Sequence, residues 1–338
     1  MSISRITVKE KYLHLRHRLL RKLTLSPRVP HEPQREGFNA LSRTIGVRHA
    51  WWLGARLAIK EWASHRSIGR RWFSLVRHPS YPITWLTPIS YTRQREFAFI
   101  FKSIARRKPF PTAILDISSP KLLPVTVASS YPETRVTSID ILDSEVRWTT
   151  KAIAHLGLSN ITARVADARA LPFDNEKFDL VTSMSVFEHI APETDGEIPA
   201  VRELARVLAP GGIALLTVPF SRTYFAEYHE GGVYERVSTD GQPIFYQRFY
   251  DLSLLQRNLV AASGLRPVSV NFIEERFFSR NPRKRLANYI GRTRRQTLAF
   301  GLFYSLLARI FLSEPKSLEE CRKPYIACLV LQKPGPRA

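Results

Sequence analysis

Between residues 112 and 275 the sequence alternates short apolar runs with longer amphipathic stretches, and this alternation restricts the fold more than any other feature. The apolar runs have the length of buried strands, at 112–117, 135–141, 161–166, 178–183, 212–218, 266–273 and, after an interruption, 325–332. The helical patterns that separate them include 144–156, 197–208 and 252–263. Strands that alternate with helices predict an α/β fold with a doubly wound, mostly parallel sheet of seven strands.

The net charge of +22 belongs to the segments that flank this core. Residues 1–110 contain 23 Lys and Arg against 5 Asp and Glu, residues 111–275 contain 14 against 21, and residues 276–338 contain 14 against 3. We therefore divide the chain into four segments. They are a basic helical N-terminal extension (1–92), a core (93–275), a basic and apolar insertion (276–324), and a last core strand with its tail (325–338). Basic flanks indicate anionic partners: phospholipid head groups, a phosphorylated carrier, or nucleic acid.

Helices are predicted in the N-terminal extension at 8–25 and at 48–77, the second rich in Trp and Arg. A linker follows at 78–90, and a further amphipathic helix at 93–107 leads into the core. The two lone cysteines and the lack of a secretory pattern favour the cytoplasm, with a peripheral position at the membrane as an option. The Arg-rich, acid-poor start leaves mitochondrial import as an alternative.

The insertion carries the most apolar stretch of the chain, Leu298–Leu312, after eight cations within 276–295. This stretch is too short to span a bilayer, and with its cationic flank it is typical of an interfacial helix on an anionic membrane surface. The alternative is a lid that packs against the 48–77 helix over an acceptor pocket.

Three acidic residues, Asp116, Asp140 and Asp167, lie at or just past the ends of successive predicted strands. Ligands of open α/β sheets bind beyond these ends, and a carboxylate there can accept hydrogen bonds from both hydroxyls of a ribose. A third carboxylate one strand further on suits an exocyclic amine such as that of adenine. The alternative for each Asp alone is a turn or helix cap.

Two segments following these acids, Phe178–Ile190 (FDLVTSMSVFEHI) and Glu203–Gly212 (ELARVLAPGG), resemble motifs of the class I S-adenosyl-L-methionine (SAM)-dependent methyltransferases that act on small molecules. Tyr250–Gly264 resembles the late helix of that family. The resemblance implies SAM as the cofactor, with Asp140 on the ribose, Asp167 on the adenine and the Ser183 backbone beside the methionine. The cofactor residues it implies are Asp116, Ser118, Ser119, Asp140, Ile141, Asp167, Ala168 and Ser183.

The first motif of that family, Asp-x-Gly-x-Gly-x-Gly, is altered here to Asp116-Ile-Ser-Ser-Pro-Lys-Leu122, with no glycine. Ser and Pro do not freely take positive φ, so we expect the loop to follow a different path, with Ser119 as N-cap and Pro120 in the first turn of the next helix. The serine hydroxyls and the helix amino terminus could hold the SAM carboxylate. Loss of SAM binding is the alternative.

Methyl transfer needs mainly in-line positioning of a nucleophile, and a hydroxyl acceptor also benefits from a general base. His189, after Glu188, is the best-placed candidate; the alternative is that both cap a helix or line the pocket. Acceptor contacts are predicted at Phe187, Tyr224, Tyr228 and His229, or these are ordinary loop aromatics. No metal site is predicted. The expected acceptor is small or lipid-linked and oxygen is the favoured atom.

Two further functions compete with this one. The first is a methyltransferase-like protein without catalysis whose basic arms bind a partner or a membrane, which the glycine-free loop motivates. The second is a nucleic-acid methyltransferase, motivated by the charge. We consider nucleic acid the less favoured partner because Ser183-Met184-Ser185-Val186 lacks the Asn/Asp-Pro-Pro-aromatic element of base-flipping enzymes. The sequence leaves the oligomeric state open.

Overall fold

A computed structural model describes residues 38–64, 87–230, 233–234, 236, 242–276, 286–290 and 294–335. Its centre is a seven-stranded sheet in the order β3-β2-β1-β4-β5-β9-β8. The strands are β1 Ala113–Ile117, β2 Arg135–Asp140, β3 Ile161–Val165, β4 Phe178–Met184, β5 Leu208–Pro219, β8 Arg266–Glu274 and β9 Pro324–Gln332. A separate antiparallel hairpin pairs β6 Phe225–His229 with β7 Ile244–Phe249.

The predicted doubly wound, mostly parallel sheet is confirmed. Strands β1 to β5 pair in parallel, and only β9, between β5 and β8, runs against its neighbours. The strands of the centre, such as β4 with its segment Leu180–Met184, are buried on both faces, and two apolar clusters pack on opposite faces of the sheet. Burial on both faces is why these strands are continuous apolar runs in the sequence.

The helices in chain order are α1 Phe38–Ser64, α2 Arg93–Arg106, α3 Leu122–Ser130, α4 Asp143–Leu156, α5 Ile198–Val207, α6 Leu252–Leu254 continuing as a π-helix over Leu255–Ala261, α7 Ala287–Ile290, α8 Arg294–Phe300 and α9 Tyr304–Phe311. The predictions for α2, α4, α5 and α6 are confirmed within a residue or two. The helix after β1 begins at Leu122, two residues later than Pro120, since the preceding residues form a loop. The prediction of a start at Ser119-Pro120 is therefore wrong.

The helix predicted at 48–77 begins ten residues earlier, at Phe38, and it is described to Ser64. Its inner side packs into the apolar cluster through Ala50, Leu53 and Leu57. A Cβ atom at Gly46 would lie 2.7 Å from the Phe101 ring, so this glycine allows α1 to approach α2 closely. The helix predicted at 8–25 and residues 65–86, which include most of the predicted linker, lie outside the described residues. Residues 42–338 form one compact unit, and of the other unit, 1–41, only the first turn of α1 is described.

The apolar stretch Leu298–Leu312 is not one continuous helix. The end of α8 is followed by a 3₁₀ turn at Gly301–Phe303 and then by α9. On α9, Tyr304 and Ala308 are buried in the apolar cluster. Within the described ranges no helix is long and apolar enough to cross a membrane.

Candidate functional site

A cleft of about 670 Å³ opens at the carboxyl ends of the parallel strands. It lies where β1 has β2 on one side and β4 on the other, which is the switch in strand order at which open α/β sheets bind ligands. The loops after β1, β2 and β3 form one half of its wall. The turn after β4, the first turn of α2, parts of β7 and the start of β9 form the other half.

The loop after β1 takes the left-handed conformation without a glycine. Ser118 has φ of 50°, and its amide donates to the Ile139 carbonyl oxygen at 2.9 Å. Serine therefore takes a positive φ at this position, while the expected difference in the path of the loop stays a prediction. A left-handed non-glycine residue costs of order 1 kcal/mol, so the surrounding contacts must hold Ser118 in place. Ser118 lines the cleft, as does Pro120.

Asp116 lies beneath this loop and is buried. Thr182 Oγ1 donates to Asp116 Oδ1 at 2.8 Å. Burial raises the pKa of Asp116 to about 6, although hydrogen bonds from Ser119 and Thr182 and the charge of Lys121 act in the opposite direction. Asp116 thus supports the floor of the cleft and is not part of its lining.

Asp140, at the end of β2, lies on the cleft wall. Lys121 Nζ donates to Asp140 Oδ2 at 2.9 Å, and the Leu142 amide donates to Oδ1 at 2.9 Å. The same ammonium group is 2.9 Å from Glu145 Oε2. A carboxylate has about four acceptor positions, so Asp140 retains about two for a ligand.

Asp167 also lines the cleft, with its carboxylate held by Arg169 in two-point contact at 2.7 to 3.1 Å. The hydrogen bonds from Arg169 lower the pKa of Asp167. Ala168 lines the cleft beside it, and Ile141 presents a side chain that is 54% exposed. The predicted cofactor residues after β2 and β3 are thus brought together along one wall.

Two serines join β4 to the loop after β1. Ser183 Oγ donates to the Ile117 carbonyl oxygen at 3.0 Å, and the Met184 amide donates to Ser119 Oγ at 3.0 Å. Both serines are buried behind the cleft surface, where Met184 and Ser185 form the lining. Their role in the structure is to fix the edge at which β1 and β4 separate.

Glu188 and His189 lie on the wall opposite to Asp140, in a 3₁₀ turn after β4. His189 Nδ1 is 2.9 Å from the Tyr246 carbonyl oxygen, and since a carbonyl only accepts, Nδ1 carries the proton and Nε2 a lone pair. Nε2 is 3.7 Å from Glu188 Oε1, while Glu188 Oε2 has no partner among the described residues. Burial lowers the pKa of His189 to about 4, and Arg93, Arg236 and Arg248 act in the same direction.

Burial raises the pKa of Glu188 to about 8, against the effect of Arg93. At neutral pH the pair therefore consists of an uncharged imidazole and an uncharged carboxylic acid. An imidazole with a free Nε2 lone pair can accept a proton, and the neutral acid beside it can donate a hydrogen bond.

Helix α2 supplies a buried acid that the sequence analysis missed. Glu96 accepts from Arg93 Nη1 at 3.0 and 2.9 Å, from Ser185 Oγ at 2.7 Å and from Thr217 Oγ1 at 2.6 Å. It thereby ties α2 to the ends of β4 and β5. Ser185, at φ of 50°, is a second left-handed residue of the cleft. In the sequence Glu96 directly precedes the apolar run FAFIF and follows basic residues, so it resembles a solvated charge of an amphipathic helix.

The hairpin β6–β7 covers the same side of the cleft through Tyr234 and Tyr246, whose rings lie 5.1 and 5.0 Å from His189. Arg248 on β7 is fully buried, pairs with Glu197, and donates to the Ile190 and Pro192 carbonyl oxygens at 2.7 and 2.6 Å. This residue anchors the hairpin to the segment that carries His189.

The predicted acceptor residues are placed differently. Phe187 is buried in the core and does not line the cleft. The Tyr224 and Tyr228 hydroxyls both donate to Glu193. The His229 ring lies 4.2 Å from Tyr246. These last three belong to or precede β6 and are outside the cleft lining, where the structure instead places Tyr234, Arg236 and Tyr246. Among the described residues no group of His, Cys, Asp and Glu could hold a metal ion.

The strand order and the position of the cleft define an open, doubly wound α/β fold with a cleft at its switch in strand order. Residues 115–216, from β1 to β5, match a family model described as a methyltransferase domain. The match covers less than half of the chain, so residues 115–216 are similar to a methyltransferase domain, and SAM is the cofactor that goes with this similarity.

Solved structures with a similar arrangement include the [4+2]-cyclase SpnF (20% identity, 71% of this chain and 82% of that chain, TM-score 0.43). A putative sarcosine dimethylglycine methyltransferase from Galdieria sulphuraria has 15% identity, covers 72% and 86%, and has a TM-score of 0.43. A geranyl diphosphate C-methyltransferase from Streptomyces coelicolor A3(2), solved with Mg²⁺, geranyl diphosphate and S-adenosyl-L-homocysteine, has 11% identity, covers 72% and 77%, and also scores 0.43. Identities this low transfer no substrate or reaction to this chain.

Proposed function

We propose that this chain is a catalytically active methyltransferase that moves the methyl group of SAM to an oxygen of a small or lipid-linked acceptor. The observation that carries the proposal is the pairing of two opposite walls in one cleft. On one wall Asp140 keeps acceptor positions for ribose hydroxyls, and on the other His189 presents a neutral nitrogen lone pair.

The residues of the first wall suit the parts of the cofactor. Asp140 accepts from the ribose hydroxyls, and the exposed Ile141 offers an apolar surface to the adenine ring. Arg169 makes four hydrogen bonds to the Asp167 carboxylate, so Asp167 would accept from the exocyclic amine in place of part of this contact. Lys121, in the cleft between Asp140 and Glu145, provides the positive charge for the carboxylate of the methionine portion.

When bound, SAM supplies an electrophilic methyl group on a sulfonium. His189 Nε2 would accept the proton of the acceptor hydroxyl, and the Tyr246 carbonyl oxygen holds the imidazole in the tautomer that this role requires. Glu188, as a neutral acid, would donate a hydrogen bond toward the acceptor, which leaves the Nε2 lone pair of His189 free. Tyr234 and Tyr246 exclude water from this end of the cleft.

A calorimetric titration with SAM tests the proposal. We expect wild-type protein to bind SAM, and Asp140→Ala to bind about 10- to 100-fold more weakly because hydrogen bonds to a carboxylate are lost. Asp143→Asn is the matched control, since Asp143 is exposed on α4 and outside the cleft lining. Absence of binding by folded protein at millimolar SAM would contradict the proposal, as would wild-type affinity in Asp140→Ala.

A methyltransferase-like protein without catalysis is the second candidate, favoured by one observation. Lys121 and Arg169 each pair with a carboxylate that the cofactor would need, so the site is already electrostatically satisfied without a ligand. The two functions differ in turnover. Formation of S-adenosyl-L-homocysteine by the wild-type protein with a hydroxyl acceptor would exclude the second candidate, and SAM binding without turnover across such acceptors would favour it.

A further inference from the structure

An apolar surface patch covers the outer side of α9 and of the 3₁₀ turn before it. We define the patch by its side chains, which are 42 to 64% exposed: Phe300, Leu302, Phe303, Leu306 and Ile310. The spacing places Leu302, Leu306 and Ile310 one turn apart on a single line. Scattered exposed apolar residues are ordinary, but five large ones within eleven residues form a contiguous surface that marks an interaction site.

The opposite side of the same segment is fixed to the protein. Tyr304 and Ala308 are buried, and Tyr304 Oη donates to the Ile290 carbonyl oxygen at 2.9 Å. A Cβ at Gly301 would lie 2.8 Å from Thr87 Cγ2. The segment therefore has two apolar sides, one in the core and one in solvent. None of its residues lines the cleft, so its outer side is not a lid over the acceptor pocket.

The charge of the sequence segment that carries the patch indicates its occupant. Between Arg276 and Ser313 the sequence has nine Arg and Lys residues and no Asp or Glu. The exposed Arg309 lies on α9 between Leu306 and Ile310. A segment that combines exposed apolar side chains with a cationic sequence matches a membrane with anionic head groups, since the apolar side chains can enter the acyl boundary and the cations can contact the phosphates. A second copy that paired through the same segment would instead bring charges of the same sign together.

We propose that this patch docks the protein on the surface of an anionic lipid bilayer. The contacts of α2 connect the segment that carries the patch with the cleft. Arg95 of α2 donates to the Leu312 carbonyl oxygen at 3.2 Å and pairs with Glu314, while Thr92 and Arg93 at the start of α2 line the cleft. Docking therefore holds the wall of the cleft near the lipid surface, which, on the proposed function, favours a lipid-linked acceptor.

Vesicle flotation with the full chain tests the docking, with phosphatidylcholine vesicles and vesicles that also contain phosphatidylglycerol as probes. We expect wild-type protein to float with the anionic vesicles. In the double variant Leu306→Glu, Ile310→Glu, we expect the partition coefficient to fall about tenfold or more, because two inserted side chains become charged. Val268→Glu is the matched control, since Val268 is equally exposed but lies on β8.

The variants replace exposed side chains, so unchanged thermal unfolding verifies that they are folded. Equal flotation of wild-type protein and the double variant would overturn the proposal. A wild-type dimer in light scattering that the double variant abolishes, without vesicle binding, would overturn it in favour of a second copy. The assay contains no SAM, and Asp140→Ala should float like wild-type protein, so its outcome is independent of the methyltransferase proposal.

Discussion

At the scale of single residues, burial shifts the pKa values of two neighbours, Glu188 and His189, in opposite directions. Each is more stable uncharged, with a pKa of about 8 for the acid and about 4 for the imidazole. For Glu188, the unfolded chain loses its proton near pH 4.5 while the folded chain keeps it to about pH 8. Stability is therefore lost as the pH rises between these values. For His189, stability is lost as the pH falls from about 6.5 to about 4.

Glu188→Gln removes the first of these effects and keeps the shape of the side chain. We expect the melting temperature of the variant, relative to wild type, to increase steadily from pH 5 to pH 8, because only the wild type must keep a proton on a buried acid. Thermal unfolding at pH 5, 6.5 and 8 measures this difference. Glu133→Gln, at an exposed position, should give a constant offset. A constant offset for Glu188→Gln as well would mean that Glu188 is ionised in the folded protein.

At the scale of secondary-structure elements, the cleft depends on how α2 is attached to the sheet. The attachment is Glu96, whose carboxylate accepts from Arg93, from Ser185 after β4 and from Thr217 of β5. Four hydrogen bonds converge on one buried side chain, and one of them fixes the hydroxyl of a left-handed residue of the cleft. The helix that forms this part of the cleft wall is thus held by the residue that the sequence analysis missed.

We expect Glu96→Gln to lower the free energy of unfolding by about 3 kcal/mol, because Arg93 loses its charged partner in a largely buried place. Urea unfolding of the variant and the wild type measures this change. Glu203→Gln is the matched control: Glu203 makes the same i,i+3 pair with Arg206 at a more exposed position, where the loss should be about 1 kcal/mol or less. Equal losses in both variants would contradict the anchoring role of Glu96.

The burial of each element decides how much of it could be predicted from the sequence. Strands such as β4 and β5 are buried on both faces, so their apolar runs identify them directly, and Asp140 and Asp167 follow from strand ends. The pair Arg93 and Glu96 could not be distinguished from solvated charges on an amphipathic helix. The hairpin β6–β7 was missed because its register and its cover over His189 depend on long-range contacts such as that of Arg248 with Glu197.

At the scale of the whole molecule, an acidic core carries basic flanks, and the exposed apolar patch lies within one of them. Two forces of different range would then act at a membrane. The attraction of the cations extends over a Debye length, which falls from about 10 Å at 0.1 M salt to about 3 Å at 1 M. The insertion of apolar side chains acts only at contact and is not weakened by salt.

This difference predicts how salt changes the binding to anionic vesicles. We expect wild-type flotation to fall between 0.1 and 1 M NaCl but to keep a remainder that comes from the patch. The double variant Leu306→Glu, Ile310→Glu should keep part of its binding at 0.1 M, from the cations alone, and lose it at 1 M. Val268→Glu should follow the wild-type curve. If wild-type protein and the double variant reach the same background at 1 M, the protein is held by charge alone and the side chains of α9 do not enter the bilayer.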